Sequence, residues 1–252
     1  MPQSSPHISR RFDQDLTEVS KLFLKMGQSA SELVTFAMRA LVEGDFALAE
    51  QVVAEDDAIN QLEMLIDERI LLLLAKRQPA ARDLRLVVAI SKGVVDVERI
   101  GDEAVKIAQM AQKVIMEAHS YCHQEVWQLS NQVRLMLNSA LIAFESQDAQ
   151  AAFSILQSAC DVDFEYQSAT RALMTYVMAD ARTISQVIHL MWVLRALERI
   201  GDHARNIAEL IIYIRSGTDV RHSDFATVQS AIENSLTESQ DAPENQPIVK
   251  QD

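Results

Sequence analysis

Hydrophobic residues recur at helical spacing along almost the whole chain. Over residues 12–42 the apolar side chains fall at Leu16, Val19, Phe23, Met26, Leu33 and Met38, with polar residues between them. That three-and-four spacing marks one face of an amphipathic helix. "EGD" at 43–45 interrupts it, and Asp45 is placed to cap a second helix over about 46–76, its carboxylate accepting from the free first-turn N–H groups. Pro79 in "RQPAARD" closes that run, since proline opens a helix but is not tolerated inside one. A third helix is expected from about 82 to 118.

After "HSYCHQE" at 119–125 the plan restarts, with helices over about 125–144, 149–178 and 183–215, and Gly217 suited to end the last. Short links between long amphipathic helices imply antiparallel neighbours. The expected fold is therefore all-α: six long antiparallel helices in two tandem, duplicated three-helix bundles, 8–118 and 123–216. From 219 to 252 the chain turns polar, and a disordered tail is expected there.

The duplication is visible residue by residue. "ERIGDEAVKIA" at 98–108 returns as "ERIGDHARNIA" at 198–208, and Arg82 matches Arg182 at the same offset of 100. In the second helix of each set the offset is 103, pairing Asp45 with Asp148, Ile59 with Val162 and Asn60 with Asp163. The link after that helix is thus three residues shorter in the second copy. Internal duplication is the simplest explanation.

Composition agrees and narrows the function. Six Gly and five Pro in 252 residues leave little turn punctuation, and helix formers dominate. The net charge of −13, with no Lys/Arg run, disfavours a nucleic-acid partner. Divalent cations or proteins with basic surfaces fit better, and direct anion sensing would need a local Arg cluster. Cys122 and Cys160 form no CxxC, so neither zinc nor a disulfide framework is indicated. The N-terminus has no apolar core of a secretory signal. "ILLLLA" at 70–75 is too short to span a bilayer. A cytoplasmic protein without membrane insertion is expected.

The repeated motif carries the chemistry. Glu98 and Asp102 are four apart, as are Glu198 and Asp202, so each pair shares a helix face and repels by a few tenths of a kcal/mol, roughly. Gly101 and Gly201 each cost about 1 kcal/mol against alanine in a helix interior. Close backbone approach could justify the glycine, and a bound cation the carboxylates. Asp56 and Asn60 form a similar pair on the second helix, where the counterparts on the fifth are Ala159 and Asp163. Oxygen ligands converging from facing helices would suit Mg²⁺, Mn²⁺ or iron better than zinc. The alternative is a solvated helix face neutralised by Arg99 or Arg199. His203 could join a site or simply lie on the surface. His189 and Trp192 are expected to be core or groove residues. No Gly-rich phosphate loop, GxSxG, HExxH or Glu-x-x-His pair is present, so no catalytic role is expected.

Two three-helix repeats carrying "QPAARDLRLVVAISKGVVDVERIGDEAVKIA" and "ALERIGDHARNIAELIIYIRSGTDVRH" closely resemble the PhoU family, over about residues 8–225. The resemblance implies a cytoplasmic, usually dimeric negative regulator of the phosphate regulon. Its partners would be the phosphate-sensing histidine kinase and the ATPase subunit of the phosphate ABC transporter. Some members of the family bind metal clusters through E/D-xxx-D motifs. Carried over, the metal ligands are Asp56, Asn60, Glu98, Asp102, Asp163, Glu198 and Asp202. Ala159 stands where an acid is expected, so the second site should bind metal more weakly. The competing readings are a carboxylate-ligated metal-storage protein or metal-dependent enzyme, and a plain helical scaffold.

Overall fold

The computed structural model describes residues 6–117, 124–221 and 223–240, with side chains from 11 to 235. The expected end of the third helix at 118, most of the "HSYCHQE" link with Cys122, and 241–252 lie outside the described residues. All six long helices are present: α1 (Pro6–Glu43), α2 (Phe46–Arg77), α3 (Ala81–Met116), α4 (Gln124–Ser146), α5 (Ala149–Ala179) and α6 (Ile184–Ser216). The first begins six residues before the apolar pattern does. A 3₁₀ turn, Ala181–Thr183, leads into α6.

The links obey the local chemistry. Asp45 accepts from the Leu48 N–H at 3.0 Å, and its counterpart Asp148 accepts from the N–H groups of Gln150 and Ala151 at 2.9 and 3.0 Å. Gly217 adopts φ 76° and donates to the Tyr213 carbonyl, closing α6. Gln78 to Ala80 separate α2 from α3, whereas Asp180 alone separates α5 from the 3₁₀ turn. That difference accounts for most of the changed repeat offset.

The first three helices pack together, the next three repeat the arrangement, and α3 lies along α6 to join the bundles, with α1 also touching α4. Asp96 meets His203 while Glu103 meets Arg199, so α3 and α6 run antiparallel. Their shared stripe is lined with Ile100, Ala104, Ile107, Ala108, Ile200, Ala204, Ile207 and Ala208, all fully buried, and the small residues let the two axes come close. One continuous apolar core runs through both bundles.

The expectation of a disordered stretch from 219 is corrected by a seventh helix, α7 (Phe225–Gln240). Val228 and Ile232 are 1% and 3% exposed, and Phe225 meets Phe153 of α5 edge-on at 6.1 Å. A one-turn spacing of apolar residues is enough here because α5 and α6 supply the surface that covers it.

Candidate functional site

The repeated glycines are where the helices touch. A Cβ on Gly101 would lie 3.0 Å from Ile59 Cδ1 and 3.1 Å from Asp56 Oδ1 of α2. One on Gly201 would lie 3.1 Å from Val162 Cγ1 of α5. Each glycine therefore lets the motif-bearing helix press against the second helix of its own bundle, which brings the carboxylates of both helices to one seam.

In the first bundle the seam gathers Asp56, Asn60 and Glu63 from α2 with Glu98 and Asp102 from α3. Burial and then the Asp102 charge push the Asp56 carboxyl above the usual carboxylate range, against a lowering hydrogen bond from Asn60. That bond, Asn60 Nδ2 to Asp56 Oδ2, is 3.4 Å long. Asp56 Oδ1 is buried without a hydrogen-bond partner. Glu98 is raised by burial, then Asp102, Glu63 and Asp56, with Arg99 opposing. Glu63 is raised by burial, Asp67 and Asp102. These groups destabilise one another's charges, and Arg99 offsets this only in part, at Glu98. Among the described residues, no three His, Cys, Asp or Glu side chains converge closely enough to hold a metal ion as they stand.

The second bundle is built differently. Glu198 and Asp202 are both raised, first by burial. Arg195, one turn before Glu198, forms an ion pair with it, and Tyr166 also bonds to that guanidinium. Asp163 reaches this seam as an added negative charge on both acids. Ala159 is buried. The repeat offset places Tyr166 at the position of Glu63. The second seam therefore loses two acids, at Ala159 and Tyr166, gains one, Asp163 in place of Asn60, and has gained an arginine.

The PhoU domain model matches residues 23–111 and again 126–211. The phosphate-specific transport system accessory protein PhoU homolog of Pseudomonas aeruginosa is 48% identical over 92% of this chain and 96% of its own length. The chain belongs to the PhoU family. The accessory protein PhoU of Escherichia coli is 38% identical over 86% of this chain and 90% of its own. Among solved structures, PhoU from Pseudomonas aeruginosa superposes with a TM-score of 0.79 at 49% identity, covering 82% of this chain and all of that one. The phosphate transport system regulatory protein PhoU from Streptococcus pneumoniae gives 0.77 at 30%, covering 83% and 99%.

Within this PhoU-family fold, several sequence expectations are revised. His203 is not a surface residue: it is buried, with Nδ1 2.9 Å from Asp96 Oδ1 across the α3–α6 contact. Asn206 donates to the same oxygen at 2.8 Å. Arg199 does not neutralise Glu198 but pairs with Glu103 of α3 at 3.0 Å. His189 and Trp192 line a groove, one of the two placements expected for them, with Trp192 exposed. Sequence reading missed Glu63, Arg195 and Asp96. Glu63 was findable, lying three residues beyond Asn60 on the same helix face. Asp96 was not, because its partners are over a hundred residues away.

Proposed function

We propose that this chain is a negative regulator of the phosphate regulon and of phosphate uptake, working in the cytoplasm as an adaptor. It would carry the state of the phosphate ABC transporter, through its ATPase subunit, to the phosphate-sensing histidine kinase, and act as a homodimer rather than as an enzyme. The observation that carries this reading is the pair of PhoU domain matches, one on each bundle, in a chain similar to proteins named as transport accessory and regulatory factors. No helix among the described residues is long and apolar enough to cross a membrane, so such an adaptor would reach the transporter by docking.

The carboxylate seams support a structural or regulatory cation. The donor set is all oxygen, which suits Mg²⁺, Mn²⁺ or iron. Asp56 Oδ1 is an orphaned buried acceptor facing the Asp102 charge, a pairing that a cation would relieve. Asp56, Asn60, Glu98 and Asp102 would hold it in the first bundle after small side-chain rotations. Asp163, Glu198 and Asp202 would hold one more weakly in the second, where Arg195 already neutralises Glu198.

A reporter for a phosphate-starvation gene, read in phosphate-rich medium, tests the adaptor role. Deleting the gene should make the reporter constitutive, and supplying the wild-type chain should restore repression. Repression that persists in the deletion strain would sink the proposal. Complementation with Glu98→Gln/Asp102→Asn, beside metal analysis of that purified variant, shows whether the cation serves signalling.

A further inference from the structure

One stretch of surface has the opposite sign to the molecule as a whole. Between the C-terminal half of α3 and the N-terminal half of α6 lies a groove of about 490 Å³, lined by Lys106, Lys113, Arg195, Arg199 and the carboxylate Glu103, with Arg195 paired to Glu198 and Glu117 3.2 Å from the lining His189. Trp192 and Ile188 form part of its lining and are 62% and 51% exposed. Large apolar side chains held in water beside cations are the composition of a binding anchor rather than of a solvated face. The Glu103 side chain is 3% exposed and pairs with Lys106 Nζ and Arg199 Nε, both at 3.0 Å. A buried counter-charge thus fixes two cations at the groove wall, so part of the ordering cost of binding is already met.

The duplication supplies an internal comparison. One hundred residues away, Trp192 is matched by Lys92, Arg195 by Val95, Lys113 by Tyr213 and Glu103 by His203. There the groups satisfy one another: Lys92 Nζ sits 5.8 Å from the Tyr213 ring centroid, and Asp96 holds His203 and Asn206. The same helix pair is therefore held together on that side without exposed aromatics or a run of cations. The groove side has diverged toward both, in a chain of net charge −13.

We propose that the α3–α6 groove docks a segment of a partner protein in which carboxylates flank one bulky apolar side chain. Trp192 and Ile188 receive the apolar group, and Lys113, with Lys106 and Arg199 beside it, faces the acids. Complementary charge gives the segment its orientation and its selection over basic competitors. The inference stands apart from the proposed regulatory role, because its test reads binding and no regulon output.

The test is fluorescence anisotropy with full-length protein and a dye-labelled synthetic peptide of Asp, Glu and Ser around a central Leu. Saturable binding is expected, weakened at least about tenfold by Trp192→Ala and by Lys113→Glu, with circular dichroism showing both variants folded. Substituting Ser for the central Leu should weaken it comparably. Absence of saturable binding, or unchanged affinity in both variants, overturns the proposal. So does equal binding of the Ser peptide, which would mean an anion site only. Loss of self-association in Trp192→Ala, seen by sedimentation without loss of peptide binding, also overturns it by assigning the groove to a second copy.

Discussion

At the scale of single residues, the two motif glycines look interchangeable but are not. A methyl group at Gly101 would press on both the Ile59 terminus and the unpartnered Asp56 oxygen, whereas at Gly201 it meets one Val162 methyl. Alanine gains about 1 kcal/mol of helix propensity at either position. Overpacking costs about 1–3 kcal/mol, so Gly101→Ala should lose about 1 kcal/mol net and Gly201→Ala should be near neutral. Urea unfolding of the two variants checks this, and equal losses would contradict it. The acids nearby have a testable sign. Asp56, Glu63 and Glu98 are all raised in the folded state, so the native protein binds more protons than the unfolded chain between the ordinary carboxylate values and the raised ones. Their contribution to stability is full below the ordinary values and lost as pH rises through the raised ones. Metal-free Asp102→Asn should therefore be more stable than wild type at neutral pH, by about 0.5 kcal/mol or 1–2 °C in Tm. The difference should shrink on acidification. Added Mn²⁺ should raise the melting temperature of wild type and not of the variant.

At the scale of elements, periodicity and capping chemistry were enough to place α2 to α6 within a few residues. Asp45, Asp148 and Gly217 cap their helices as their residue types dictate. The close approach at Gly101 was legible too, because a glycine inside a good helix pattern needs a neighbour to explain it. The failures share a cause: they depend on partners distant in sequence. Among the residues of α7 with described side chains, Phe225, Val228 and Ile232 form a narrow stripe within a polar run, which reads as a tail until α5 and α6 are there to receive it. Its attachment should be correspondingly local. Val228→Asp/Ile232→Asp should strip hydrogen-exchange protection from 225–235 and leave the α4–α6 amides protected. Loss of protection throughout the second bundle would show instead that α7 is integral to its core.

At the scale of the whole molecule, the contact between α3 and α6 decides how the two bundles are held, and its polar groups are arranged asymmetrically. On one side a buried histidine and Asn206 share Asp96. On the other, a buried carboxylate, Glu103, is served by Lys106 and Arg199, whose side chains are half and nearly half exposed. Removing the acid leaves two cations that can turn into water. Removing the cations leaves a charge with little access to water, because the Glu103 side chain is 3% exposed. Uncompensated burial of a charge is costly, about 3 kcal/mol or more, while loss of an ion pair whose surviving partners resolvate costs about 1 kcal/mol or less. Lys106→Ala/Arg199→Ala should thus destabilise the protein far more than Glu103→Gln, although both break the same two ion pairs. Urea unfolding at neutral pH reads the difference directly. Equal destabilisation by the two variants at neutral pH would mean that Glu103 reaches solvent once its partners are gone, and that the bundles are held by their apolar stripe alone.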